Sequence, residues 1–174
     1  MNQNIDKTKT VFILGAGASY DGGAPLMGNF LDISSFLLRT NQVQNEEIHF
    51  RKVFDARSKL QAVFSKSSLD LNNIEDIFAA FEMGELLEYL PGYDSPDQIR
   101  DLIHSLVIVI VKTIGVTHEY GLASAFQGPG GSKVFSPPKP YGKFAKLIKK
   151  LREDTIPKHD VSIITFNYDV GCDF

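Results

Sequence analysis

The chain has 174 residues, enough for one domain with a substantial core. Its formal net charge of −3 creates no field that would draw nucleic acid or an anionic membrane to the protein. The single cysteine, Cys172, excludes an internal disulfide and any cysteine-based zinc site. The longest apolar stretch, residues 106–111, is far shorter than the roughly 20 residues that span a membrane. We therefore expect a cytoplasmic protein with no metal, nucleic-acid or membrane partner.

The first half of the chain reads as one strand followed by helices. Residues 1–10 are polar and are predicted to be a lead-in. The apolar run at 11–14 is continuous, which is typical of a strand buried on both faces. Apolar residues at helical spacing then predict helices near 26–40, 46–64 and 74–86, the last of them capped by Asn72 or Asn73.

The second half begins with the clearest helix of the sequence. Ser95 is a natural N-cap, Pro96 suits the first helical position, and Gly115 is the predicted stop. The segment 116–140 is rich in glycine and proline and is predicted to be a long loop, either functional, as a lid is, or disordered. A helix near 141–152, whose lysines form a solvated face, and a second buried strand near 161–166 complete the pattern.

Two strands separated by helices predict an α/β protein with a Rossmann-like open parallel sheet, in one domain over 1–174. In such sheets, ligands bind beyond the carboxyl ends of the strands. Both predicted strands end in polar clusters, "GAGAS" at 15–19 and "TFNYD" at 165–169. We expect the two clusters to lie at the same edge of the sheet.

The glycine cluster fails three familiar templates. A P-loop needs a lysine where Gly23 stands. The dinucleotide fingerprint needs a glycine at Tyr20, and the hydrolase nucleophile elbow needs one at Asp21. Two interpretations stay open: an ordinary strand-to-helix turn, or a turn whose main chain approaches a ligand.

In the second interpretation the two glycines have a binding role. Gly15 and Gly17 would let the main chain turn and bring N–H groups to a pyrophosphate. Ser19 would donate its hydroxyl to the same phosphate. Asn167 and Asp169, two residues apart at a strand end, would project to the same side of the chain.

Together the two clusters resemble those of the sirtuin-like NAD-binding domain, especially its bacterial branch. That superfamily has a strand leading into Gly-Ala-Gly-x-Ser, then a glycine-proline stretch, and later a strand ending in Thr-x-Asn-x-Asp. The acidic helix start at 72–78 also looks like the bacterial branch. The resemblance implies a turn that contacts the NAD phosphates, a loop proline near nicotinamide and a catalytic pair at the second strand. The cofactor-binding residues would be Gly15, Ala16, Gly17, Ala18, Ser19, Pro25 and Thr165, and the catalytic residues Asn167 and Asp169.

The resemblance implies an NAD glycohydrolase, of the kind that the bacterial family uses against phage by depleting NAD. The reaction would release nicotinamide and ADP-ribose, or a cyclic form of it. Cleaving the nicotinamide–ribose bond builds positive charge on the ribose. The Asn167 amide would hold ribose hydroxyls or orient a water. The Asp169 carboxylate would accept a hydrogen bond from the carboxamide and stabilise the developing cation.

The sequence also departs from the family pattern. One cysteine cannot build the four-cysteine zinc module of the deacylases, and Leu26-Met27-Gly28 replaces their Asp-Phe-Arg, which argues against deacetylation. The family's catalytic histidine follows the Asn-x-Asp motif, whereas this sequence stops at Phe174. We expect either a fragment, with the fold incomplete at the C-terminus, or a degenerate homologue.

Two other functions stay open. The first is a non-catalytic module that senses NAD or ADP-ribose, or that supports assembly. The second is a flavin- or nucleotide-binding domain of the same broad fold. The expected ligand is NAD or an ADP-ribose derivative, without a metal. A homo-oligomer or an additional effector or sensor domain is compatible with all three functions.

Overall fold

The computed structural model describes residues 8–63, 69–117, 121–127, 133–136, 139–156 and 158–167. The chain divides into two compact units. The first, called here the sheet unit, combines Met1–Ala24 with His118–Phe174, and the second, the helical unit, is Pro25–Thr117. The elements in chain order are β1 (Thr8–Leu14), α1 (Gly17–Tyr20), α2 (Phe30–Arg39), α3 (Glu47–Val63), α4 (Ile74–Leu86), α5 (Pro96–Thr117), β2 (Gly121–Gln127), β3 (Lys133–Ser136), α6 (Lys139–Lys149) and β4 (His159–Thr165).

The sheet unit is built on one parallel strand pair. β1 and β4 run side by side in unbroken register, from Thr8 opposite His159 to Leu14 opposite Thr165. α6 precedes β4 and continues into a π-helical turn, Lys150–Asp154. β2 and β3 form a separate antiparallel pair. The described residues thus form a mixed α/β structure with six α-helices and a two-stranded parallel sheet, which is compatible with part of a Rossmann-like fold.

The parallel strands are less buried than the sequence predicts. Side chains alternate along β1: Phe12 is partly buried, whereas Val11 is 55% exposed and Ile13 is 68% exposed. Phe144 of α6 meets Phe12 edge to face, with the ring centroids 5.0 Å apart. In β4 the apolar side chain of Ile164 is also exposed. The prediction of strands buried on both faces is therefore wrong, because the side chains at odd positions of β1 stay open to solvent.

Several boundaries differ from the predicted ones. β1 begins at Thr8, inside the predicted lead-in 1–10. α5 runs past Gly115 to Thr117, whose hydroxyl donates a hydrogen bond to the Thr113 carbonyl at 2.8 Å. A glycine in a helix costs only about 1 kcal/mol, so it need not end one. The predicted loop 116–140 contains both β2 and β3, whose pairing satisfies main-chain polar groups that a loop would leave to solvent.

The helical unit packs α2, α3, α4 and α5 around one apolar core. Asn73 caps α4 as predicted, because its side chain accepts a hydrogen bond from the Glu75 main-chain N–H at 2.9 Å. None of the helices that the structure describes is long and apolar enough to cross a membrane. The core is formed by Phe30, Leu31, Leu37, Val43, Phe50, Val53, Ala56, Leu60, Ile74, Ile77, Phe81, Leu90, Ile99, Leu102, Leu106 and Val109.

Candidate functional site

The two polar clusters emerge at one edge of the parallel sheet. Because β1 and β4 are parallel and in register, Leu14 and Thr165 end their strands side by side. The main-chain N–H of Phe166 donates a hydrogen bond to the Leu14 carbonyl at 3.0 Å, which extends the pairing beyond β4. The glycine turn follows Leu14 directly, and Asn167 follows Phe166. The topology therefore brings residues 15–19 and 165–167 together.

A hydrogen bond joins the two clusters. Nδ2 of Asn167 donates to Oγ of Ser19 at 2.9 Å. The Ser19 side chain is fully buried. On the other side, the main-chain N–H of Asn167 donates to Oγ1 of Thr165 at 3.1 Å, a local side-chain turn that fixes the chain leaving β4. Both the main chain and the side chain of Asn167 are thus held in place.

A third residue completes this arrangement. Oη of Tyr141, in the first turns of α6, lies 2.5 Å from Oγ of Ser19. Tyr141 is only 6% exposed. Sequence reasoning did not include this tyrosine in the site. The signal was available, because Tyr141 shares a helical stripe with Phe144 and Ile148, and a buried tyrosine hydroxyl needs a hydrogen-bond partner.

The Asn167 amide has one unused atom. Its Oδ1 is buried and accepts no hydrogen bond from the residues that the structure describes. Leaving a buried acceptor without a donor costs about 1–3 kcal/mol. Nδ2 already binds Ser19, so Oδ1 is the atom through which this amide could bind a ligand that carries a hydrogen-bond donor.

The glycine turn is compact, with open space above two of its glycines. Ala18 N–H donates to the Gly15 carbonyl at 2.8 Å, and Ser19 N–H donates to the Ala16 carbonyl at 3.2 Å. A Cβ built on Gly15 or Gly17 would meet no atom within 4 Å. Packing inside the described chain therefore does not require glycine at these two positions. The open space is what a close approach of another molecule to the main chain would need.

Gly23 differs from these two glycines. Its φ of 92° is in the left-handed region that side chains disfavour, so the turn itself explains this residue. Pro25 is the first residue of the helical unit. Asp169, the other predicted catalytic residue, lies outside the described residues.

A second group of reactive side chains lies in the helical unit. Nδ1 of His49 is 3.0 Å from Oγ of Ser105, and Nε2 of His49 is 3.9 Å from a carboxylate oxygen of Glu46. The Ser105 side chain is fully buried and donates to the Asp101 carbonyl at 2.8 Å. A buried serine bonded to its own helix cannot reach a substrate, so we interpret this group as structural. No cluster of three metal-ligating side chains occurs in the part of the chain that the structure describes.

The helical unit also has a cavity of about 260 Å³ between α3 and the start of α5. Four of its five charged side chains form two ion pairs, Lys52 with Asp101 at 2.6 Å and Lys59 with Asp55 at 2.9 Å, and the fifth is Asp94. The hydrogen bond from Lys52 lowers the pKa of the Asp101 carboxyl. Burial raises the pKa of the Tyr93 hydroxyl, although the Lys59 ammonium, 4.7 Å from the ring centroid, opposes that shift. Two ammonium groups against three carboxylates leave the lining with a small negative excess, which gives no basis for an anionic ligand.

Comparison of the chain with protein-family models, with curated proteins and with solved structures gives no match. The sheet edge therefore has to be interpreted from its own geometry and chemistry.

Proposed function

We propose that the sheet unit is a sirtuin-like domain that binds NAD at the edge formed by residues 15–19 and 165–167 and hydrolyses the nicotinamide–ribose bond. The observation that carries the proposal is the hydrogen bond from Asn167 to Ser19. It joins the two motifs on which the resemblance depends. The pairing of β1 with β4 brings the two strand ends together, and this hydrogen bond links the side chains that the motifs supply there.

The proposed reaction adds water to the anomeric carbon of the nicotinamide ribose. The bond to the nicotinamide nitrogen breaks, nicotinamide leaves as a neutral molecule, and the water loses a proton as ADP-ribose forms. Positive charge develops on the ribose ring in the transition state. An asparagine amide does not ionise near neutral pH, so Asn167 would orient the ribose or the attacking water and would not transfer a proton. Its buried Oδ1 would accept a hydrogen bond from a ribose hydroxyl or from the attacking water.

The glycine turn would hold the diphosphate. The open space above Gly15 and Gly17 supports this role, because phosphate oxygens could approach the main chain there. Ala16 and Ala18 belong to the same turn, and Thr165 fixes the chain beside it. We do not propose a direct contact between Ser19 and the phosphate, because the Ser19 side chain is fully buried and hydrogen-bonded to Asn167. In this proposal Ser19 is a positioning residue.

The remaining elements of the proposal come from the motifs alone. Asp169 would face the nicotinamide carboxamide, and Pro25 would belong to the loop near nicotinamide. A role in bacterial defence against phage, through depletion of NAD, also rests on the resemblance to the bacterial branch. For Asp169, the carboxylate could accept a hydrogen bond from the carboxamide.

The test is nicotinamide release from NAD by the full chain, followed by chromatography, with NAD and ADP-ribose binding measured by calorimetry. We expect turnover by the wild type and a loss on the order of 100-fold in Asn167→Ala, because one oriented polar contact is removed. Gln44→Ala, which removes an exposed amide in the helical unit, is the matched control and should keep full activity.

Two results would change the assignment. Binding of NAD without any release of nicotinamide at high protein concentration would overturn hydrolysis and favour a sensing module. No binding of NAD or ADP-ribose at millimolar concentration would overturn the site itself.

A further inference from the structure

Three side chains form a buried hydrogen-bonded series behind the proposed ligand site. Tyr141 Oη lies 2.5 Å from Ser19 Oγ, and Ser19 Oγ accepts from Asn167 Nδ2 at 2.9 Å. Ser19 is fully buried and Tyr141 nearly so. The three residues are supplied by the glycine turn, by α6 and by the chain after β4. The series therefore links the Asn167 amide to the Tyr141 hydroxyl through Ser19.

We propose that Tyr141 is a positioning residue that acts through Ser19 to fix which way the Asn167 amide faces. A serine hydroxyl has one hydrogen to donate and lone pairs to accept with. If that hydrogen is directed to Tyr141 Oη, Ser19 Oγ can only accept from the amide. Asn167 then has to present Nδ2 to Ser19 and Oδ1 to the ligand. Either hydroxyl could donate across the 2.5 Å that separates the two oxygens, and we assign the hydrogen to Ser19 because its Oγ already accepts from the amide.

The orientation of the amide selects the chemistry of the ligand. Oδ1 is an acceptor only, and it is buried without a donor among the described residues. A hydroxyl or N–H group of a ligand satisfies it, whereas a phosphate oxygen, itself an acceptor, is repelled. Asn167 would therefore face a hydroxyl-bearing sugar rather than the diphosphate. This inference rests on the proposed function for the identity of the ligand, but the internal series of hydrogen bonds does not.

Tyr141→Phe is the decisive change, because it removes one hydroxyl and keeps the ring. In the variant Ser19 loses the Tyr141 oxygen as a partner, and a Ser19 hydrogen directed to Asn167 Oδ1 instead would require the amide to turn around. Tyr20→Phe is the matched control: Tyr20 is in the same unit, in α1, and its side chain is 54% exposed. Thermal unfolding followed by circular dichroism establishes that both variants fold.

The first readout needs no ligand. The side-chain NH₂ of Asn167 is observed by nitrogen-15 NMR of the full chain and is assigned by its disappearance in Asn167→Asp. We expect the wild-type NH₂ protons to exchange with solvent more slowly than those of exposed asparagines. Exchange should become about tenfold faster in Tyr141→Phe and stay unchanged in Tyr20→Phe. Unchanged exchange and chemical shift in Tyr141→Phe would overturn the positioning role. If Tyr141→Phe does not fold, the wild type alone gives the test. Asn167 NH₂ protons that exchange as fast as those of exposed asparagines would then overturn the positioning role.

The second readout uses ADP-ribose and ADP as probes, which differ by one ribose. We expect Tyr141→Phe to weaken ADP-ribose binding about tenfold and to leave ADP binding unchanged, because only the sugar faces Asn167. Equal weakening of both probes would indicate a general structural effect and overturn the inference. An NMR response to Tyr141→Phe in a protein that binds neither probe would support the positioning role while refuting the proposed function.

Discussion

Nδ2 of Asn167 donates a hydrogen bond to Oγ of Ser19 at 2.9 Å, across 148 positions of the sequence. The contact exists because β1 and β4 are parallel neighbours whose last paired residues are Leu14 and Thr165. Ser19 and Asn167 each lie a few positions beyond the end of a strand, so the pairing of β1 with β4 is enough to bring them close together. The same edge holds the buried Oδ1 of Asn167, which has no donor among the described residues. These features together make the edge the best-supported site of the molecule.

Replacing Gly15 or Gly17 by alanine separates a binding role from a structural one. A Cβ at either position meets no neighbour within 4 Å, so the free energy of unfolding should change by less than about 1 kcal/mol. Affinity for NAD should fall about tenfold or more, because the methyl group fills the space that the ligand would enter. Urea denaturation and calorimetry measure the two effects separately.

Gly23→Ala is the control for this pair. Its φ of 92° makes alanine strained, so we expect a loss of about 1 kcal/mol or more in stability. If Gly15→Ala and Gly17→Ala are destabilised as strongly as Gly23→Ala while NAD affinity is unchanged, the cluster is an ordinary turn.

Ser34 and Thr113 form a buried hydroxyl pair in the helical unit. We expect replacement of one of them to lower the free energy of unfolding more than replacement of the other. Ser34 Oγ donates to the Phe30 carbonyl at 2.9 Å, so the Thr113 hydroxyl is the donor in the 2.9 Å bond between Ser34 and Thr113. Ser34→Ala leaves that buried donor without its acceptor and should cost about 1–3 kcal/mol. Thr113→Val leaves the Ser34 hydrogen satisfied and should cost about 1 kcal/mol.

Urea denaturation of both single variants and the double variant tests this assignment of the donor. The double variant should be more stable than the sum of the single changes implies, by about 0.5 kcal/mol or more. Ser58→Ala is the control, since Ser58 makes the same type of bond to the Phe54 carbonyl at an exposed position. A larger cost for Thr113→Val than for Ser34→Ala would show that the donor assignment is wrong.

Tyr93 should make the helical unit sensitive to alkaline pH. Burial raises the pKa of its hydroxyl above the ordinary value of 10.0, with the Lys59 ammonium acting in the opposite direction. A raised pKa in the folded state contributes stability that is complete below the unfolded pKa and is lost as pH rises through the folded pKa. Stability should therefore decline above about pH 10, and Tyr93→Phe should reduce that decline.

Denaturant unfolding between pH 8 and 12, with the ultraviolet absorbance of tyrosinate, gives the measurement. Tyr89→Phe is the control because Tyr89 is in the same unit and is 67% exposed. The pH dependence of the free energy of unfolding should differ between Tyr93→Phe and Tyr89→Phe only at high pH. An identical pH profile for Tyr93→Phe and the wild type would contradict a raised Tyr93 pKa.

Local sequence signals predicted the helices well and the strands less well. Asn73 caps α4 and Pro96 begins α5, because a cap and a first-turn proline act within a few residues of each other. β2 and β3 went unrecognised in a segment whose glycines and prolines indicated a loop. The exposure of Val11 and Ile13 was also missed, since burial on a second face depends on which elements cover the sheet.

The sequence alone determined the residue types at the two strand ends and, from the pattern of strands and helices, that both ends would lie at one edge. It could not reveal that Tyr141 joins Ser19 there, because 122 positions separate them and only the packing of α6 brings the two hydroxyls together. Nor could it reveal which atom of Asn167 has no hydrogen-bond partner among the described residues. Hydrogen bonds between distant side chains depend on the three-dimensional placement of their donors, so the tertiary structure decided both.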